Sequence, residues 1–103
     1  MMDDVSSAEQ CQSMAEVRAG VDAADRALIM LLAKRFAYMR AAARIKPERV
    51  QVRDDARKAE VIAHARSLSL EAGLPADIIA DIWDKLVEAS IAYELAEWDR
   101  LKG

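Results

Sequence analysis

Residues 14–46 read MAEVRAGVDAADRALIMLLAKRFAYMRAAARIK, and their spacing decides the fold class. Apolar side chains recur at Met14, Val17, Val21, Ala24, Leu28, Leu31, Leu32, Phe36, Met39 and Ala43, a pattern that keeps one face of an α-helix apolar. No glycine or proline interrupts it between Gly20 and Pro47. Just upstream, Ser13 and Glu16 have the spacing of a capping box, a helix start in which hydroxyl and carboxylate serve first-turn N–H groups reciprocally. The predicted helix of about 30 residues is roughly 45–50 Å long at 1.5 Å per residue. A compact monomer of this chain length is nearer ~30 Å across. The helix therefore overhangs its own domain, and its apolar stripe calls for a second chain.

Downstream, Pro47 lacks a backbone donor and disfavours helical geometry in the residue before it, so Pro47–Val52 reads as a loop. Asp54 or Asp55 can cap a second helix that carries Ala59, Val61, Ile62, Ala65 and Leu68, with Gly73 just past its end. Leu74-Pro75-Ala76-Asp77 is a short turn with proline at a helix start. A third helix then runs through Ile78, Ile79, Ile82, Trp83, Leu86, Val87, Ile91, Tyr93, Leu95 and Trp98, apolar on so wide an arc that it should be buried on more than one side. The layout is all-α, with helices in the order long, short, long over residues 13–103 behind a flexible leader at residues 1–12.

Composition agrees. The 103 residues are 53% hydrophobic and 32% charged, with three glycines, two prolines and five aromatics, usage that favours helix over a β-sandwich or barrel. A net charge of −3 argues against nucleic acid or an anionic membrane as the main partner, but not against a small anionic ligand. One cysteine, Cys11, and one histidine, His64, supply neither a Cys/His metal site nor a Ser/His/Asp arrangement. Neither a metal nor a cofactor is expected. The polar, acidic first ten residues do not resemble a secretory signal, and no apolar run nears membrane-spanning length, so the expected location is cytoplasmic.

Some charges lie beside the apolar stripe. Arg35 sits among Leu31, Leu32 and Phe36, and Lys46 follows eleven residues later, within about 20° of three full turns and roughly 16 Å along the axis. The two could hold opposite ends of one anion. Arg18 lies about 100° around the helix from Arg35 and about 25 Å away, so it can join such a site only from a partner chain. Taken singly, each cation also has an ordinary role: Arg18 pairing with Asp22, Arg35 laying its stem over the core, Lys46 complementing the helix dipole.

The pattern Val17-Arg18-x-x-Val21-Asp22-x-x-Asp25-x-x-Leu28-x-x-Leu31-Leu32-Ala33-x-Arg35, followed by Ala42-Ala43-Arg44-Ile45-Lys46 and Val52-Arg53-Asp54-x-x-Arg57, resembles the all-helical chorismate mutase family. Within it, the likeness is to the small bacterial branch that includes isochorismate pyruvate lyase. The resemblance covers about residues 14–100. It implies an intertwined homodimer whose sites are built from both chains. Arg35 and Arg57 would bind the carboxylates of a dianionic substrate, Arg18 would reach in from the other protomer, and Lys46 would donate to the ether oxygen. Ser90 and Glu94, one turn apart on the third helix, would complete the pocket, and Asp54 would meet the ring hydroxyl.

Two positions depart from the family pattern. Lys58 stands where many members carry Glu, which implies a more basic pocket and a ring hydroxyl held differently. Glu94 stands where bacterial members commonly carry Gln; some fungal relatives also have Glu. A charged carboxylate would repel the negative charge that develops on the breaking C–O bond, so Glu94 must carry a proton to donate there. The implied activity is rearrangement of chorismate to prephenate, which needs no nucleophile, metal or general base. The alternatives are elimination of pyruvate from isochorismate to give salicylate, or a non-catalytic helical dimer or regulatory subunit. Ser90, Asp54 and the polar lining point to the mutase and the branch likeness to the lyase; the mutase leads.

Overall fold

The computed structural model describes residues 7–103. It consists of α1 (Met14–Ile45), α2 (Asp55–Glu71) and α3 (Ala76–Lys102), with single 3-10 turns at Ala8–Gln10 and Arg49–Gln51. The described residues contain no strand, so the fold is all-α, in the long, short, long order that the apolar spacing predicts. The chain divides into two units, Met1–Phe36 and Ala37–Gly103, with the boundary inside α1.

In the first unit, residues 1–6 of the expected leader lie outside the described residues, and Ala8–Gln10 forms one 3-10 turn. The α1 start is capped as its sequence predicts, with one difference. Ser13 Oγ accepts from the Glu16 N–H at 3.2 Å, while Glu16 Oε1 accepts from the Gln12 N–H at 2.8 Å, one residue further back than a capping box requires. Met14, Val17, Val21, Ala24, Leu28 and Leu31 follow one another in steps of three and four, the seam spacing of a coiled coil. Along it Leu28 and Leu31 are 55% and 63% exposed. So large an apolar stripe in water is the signature of an association surface.

In the second unit, α2 and α3 form a helical hairpin. Asp54 is the α2 N-cap, its carboxylate accepting from the Arg57 N–H at 2.9 Å. At the other end Gly73 has φ +74. The Gly73 N–H donates to Leu70 O at 3.2 Å and the Leu74 N–H to Ser69 O at 2.8 Å, the paired bonds of a Schellman turn that satisfy carbonyls left over at a helix end. The apolar core here comprises Val52, Val87 and Ile91, with Val61, Leu95 and Trp98 packed against them. Val52 belongs to the segment expected to be only a loop. That segment is ordered by Glu48 and Gln51, which cap each other reciprocally, and by Arg49, whose guanidinium grips Asp99 through two hydrogen bonds of 2.8 and 3.0 Å. The expected burial of α3 on more than one side is only partly met within the chain, where Ile78 and Ile82 stay at least half exposed. On α2, Leu68 is likewise exposed, and the buried position beside it is Ser69, whose hydroxyl donates to Ala65 O at 2.7 Å.

A charged seam joins the start of α2 to α3. Arg53 binds Glu88 through two hydrogen bonds of 2.7 and 3.2 Å, and Lys58 reaches both Glu88 at 2.6 Å and Asp84 at 3.1 Å. Hydrogen bonds from Arg53 and then Lys58 hold the Glu88 carboxyl down at about 2, against an ordinary 4.5. The hydrogen bond to Glu88, then that to Asp84, raises the Lys58 ammonium above its usual range.

Two measurements test these local readings. Nothing lies within 4 Å of a Cβ added at Gly73, so Gly73→Ala meets only the left-handed backbone penalty. It should cost about 1–2 kcal/mol, seen as a lower urea midpoint at unchanged slope. Because the Glu88 value is lower folded than unfolded, its contribution is fully present above about pH 4.5 and is lost as pH falls toward 2. Between those values the melting temperature of the wild type should fall more steeply than that of Glu88→Gln; parallel curves would show that the seam contributes nothing.

Candidate active site

Lys46 is the first residue beyond α1, and Pro47 ensures that the helix goes no further. Its N–H still donates to Ala42 O at 2.9 Å, so Lys46 continues the last helical turn. From there its ammonium reaches Glu94 on α3, with Nζ 2.8 Å from Oε2. The Glu94 side chain is only 5% exposed, and the Lys46 side chain is 30% exposed. Apart from this ion pair, Glu94 Oε2 has no hydrogen-bond partner, although it is buried. A carboxylate is removed from water only at a cost that its countercharge must offset, so the pair functions as a unit. The sequence reading placed Lys46 and Glu94 near one ether oxygen, and the structure brings them into contact.

Ser90 lies one turn before Glu94 on the same face of α3 and is 3% exposed. Its hydroxyl donates to Leu86 O at 2.7 Å. Asp54 is at the surface as the α2 cap, with one carboxylate oxygen committed to the Arg57 N–H. The Arg57 side chain is 69% exposed, and its guanidinium meets Glu60 at 3.3 Å. An exposed pair of this kind is weak and readily exchanged for another anion.

Lys58 is paired within the chain. Its ammonium is taken up by Asp84 and Glu88, so the charge expected to make a pocket more basic is balanced on the α2–α3 seam. Arg18 and Arg35 belong to the first unit, where Arg18 is exposed and Arg35 half-buried.

The sequence reading missed the residues that surround Lys46 from behind. Trp98 Nε1 donates to Lys46 O at 3.0 Å. Lys102 Nζ donates to Ala43 O at 2.9 Å, to Arg44 O at 3.1 Å and also to Lys46 O. By spacing alone Trp98 belongs to the apolar face of α3, and Lys102 stands in its last turn. The signal lay in the i, i+4, i+8 spacing of Glu94, Trp98 and Lys102, which sets all three on one stripe. Arg40, also unassigned, donates to the Tyr93 hydroxyl at 2.9 Å.

No helix among the described residues is long and apolar enough to cross a membrane. Residues 17–95 match the family described as chorismate mutase type II, a stretch that takes in every candidate residue from Arg18 to Glu94. An isochorismate pyruvate lyase of Pseudomonas aeruginosa is 24% identical over 95 residues, covering 92% of this chain and 94% of the relative. Matched over well more than half of its length, the chain belongs to the chorismate mutase type II family.

Proposed function

We propose that the chain is a chorismate mutase, a cytoplasmic homodimer that rearranges chorismate to prephenate in a cationic pocket completed by the partner protomer. The Lys46–Glu94 pair, with its buried carboxylate, carries the reading. An ammonium held beside a buried carboxylate oxygen that makes no hydrogen bond apart from this ion pair is poised to exchange that partner for a substrate oxygen. The reaction is pericyclic, so the protein's task is to position the substrate and stabilise developing charge. In this reading Arg35 and Arg57 bind the two carboxylates, and Arg18 reaches in from the other protomer across the exposed α1 stripe. Guanidinium groups suit this role because their fork matches a carboxylate in two places at once. Lys46 donates to the ether oxygen as the C–O bond breaks. Asp54 and Ser90 meet the ring end, and Lys58 takes part there with its charge already balanced by Asp84 and Glu88.

Without substrate, Glu94 neutralises Lys46. With substrate bound, the Glu94 side chain faces the same ether oxygen, and its charge bears on the breaking C–O bond. The second reading, elimination of pyruvate from isochorismate, is favoured by the Pseudomonas aeruginosa relative and would use the same cations on a similarly folded substrate.

Incubation of the purified protein with chorismate and with isochorismate, in separate reactions, should yield prephenate from the first. Salicylate and pyruvate from the second, without prephenate from the first, would replace the mutase with the lyase. Neither product would leave a binding or regulatory dimer. Lys46→Met should lower turnover by about 100-fold or more, as loss of a donor to developing charge commonly does. It also strands a buried carboxylate, at a cost of up to roughly 3–5 kcal/mol. The double variant Lys46→Met/Glu94→Gln, which removes both charges, should recover the melting temperature and dimer mass but not the turnover; activity near wild type in that variant would sink the assignment. Glu94→Gln removes the negative charge and presents an amide donor in its place, so it should raise turnover at neutral pH. Unchanged turnover removes Glu94 from the reaction.

A further inference from the structure

We propose that Trp98 and Lys102 are positioning residues for Lys46, gripping its backbone carbonyl while Glu94 holds its ammonium. The inference rests on the functional reading of Lys46 given above, and goes beyond it to residues outside the family match, which ends at residue 95. Its basis is one stripe of α3. Glu94, Trp98 and Lys102 are spaced i, i+4 and i+8, and all three take hold of the same residue. Glu94 meets Lys46 Nζ at 2.8 Å, Trp98 Nε1 donates to Lys46 O at 3.0 Å, and Lys102 Nζ donates to that same carbonyl.

The alternative is that Lys102 merely caps the C-terminus of α1, where a cation complements the dipole and unsatisfied carbonyls accept hydrogen bonds. Its bonds to Ala43 O and Arg44 O fit that role. Capping alone does not require two donors on one carbonyl, and Lys46 O, on the residue that closes the last turn, accepts from Trp98 as well as from Lys102. Trp98 donates to no other residue's carbonyl and is itself fixed by packing against Val52, Val87 and Ile91. The Lys102 ammonium stands 5.5 Å from the centre of the Trp98 ring, a cation–π distance that couples the two grips. A lysine is a point charge on four rotatable carbons, a poor instrument for placing a donor unless its base is fixed. Here the base is fixed by the Ala42 bond on its N–H, the two α3 donors on its carbonyl, and the proline that follows. The α3 stripe thus sets where the Lys46 ammonium can reach.

The test uses Trp98→Phe, which keeps the ring and loses the N–H, and Lys102→Met, which keeps an apolar stem and loses the charge. Lys102→Arg serves as the conservative control. Misplacing a catalytic group by about 1 Å can cost 100-fold. Trp98→Phe and Lys102→Met should therefore each lower kcat by about tenfold or more while KM stays within about threefold, and Lys102→Arg should recover most of the loss. The 15Nζ resonance of Lys46, assigned by its disappearance in Lys46→Met, should shift or broaden in the first two variants. A lowered melting temperature with kcat and the Lys46 resonance unchanged would reduce Trp98 and Lys102 to a helix cap and overturn the proposal. If wild-type protein turns over neither chorismate nor isochorismate, the functional reading fails separately. The Lys46 resonance then decides the positioning claim alone, and an unmoved signal refutes it.

Discussion

The end of α1 is anchored to α3 by three side chains on one stripe, and the arrangement of the second unit depends on that attachment. A helix terminus leaves carbonyls without partners, and a buried carboxylate needs a countercharge. Lys102 and Trp98 meet the first requirement and Lys46 meets the second, at one place. The same contact fixes where the chain leaves α1, which sets the start of the connection that brings Val52 into the core and Arg49 onto Asp99. From there Asp54 caps α2, and the α2–α3 hairpin closes through the Arg53–Glu88–Lys58 seam.

The helices were legible because they depend on periodicity and on local chemistry. Ser13, Asp54 and Gly73 announce three termini through interactions within a few residues of themselves. The connection between α1 and α2 was not legible. Pro47 marks the break, but nothing local tells that Val52 is buried or that Arg49 is held by a residue fifty positions later. The candidate residues divide in the same way. Lys46 and Glu94 could be named from a pattern, and their contact joins the residue just after α1 to α3, across 48 positions that no local rule spans. Lys58 was read as an added pocket charge because its partners, Asp84 and Glu88, sit on another helix whose register no local rule supplies. Trp98 and Lys102 escaped notice for the opposite reason. An aromatic on an apolar arc and a lysine in a last turn have such common roles that neither suggests a part in a site.

The distribution of apolar surface bears on assembly. The core of the second unit is small, and large apolar side chains on α1, α2 and α3 remain exposed. A chain of this length buries too little surface alone to be robust. The α1 stripe from Met14 to Leu31 has coiled-coil spacing, and the next position in that series is Arg35. A charge at the continuation of an apolar seam is costly to bury unless an anion arrives with it. Under the proposed dimer, the seam that joins the protomers therefore leads directly into the place where a dianion would be bound, and association and substrate binding share one surface.

That sharing explains why a pericyclic reaction suits so sparse a chain. A site built for proton transfer or covalent catalysis needs groups whose titration is finely adjusted. A site that orients a dianion and steadies one oxygen needs only cations in fixed places. The second unit provides one such place, an ammonium tethered at its head by Glu94 and at its base by Trp98 and Lys102. Under the proposed function, changing Glu94 to Gln would alter the charge presented to the ether oxygen while Trp98 and Lys102 still hold the Lys46 carbonyl, because those two grips lie elsewhere on the stripe.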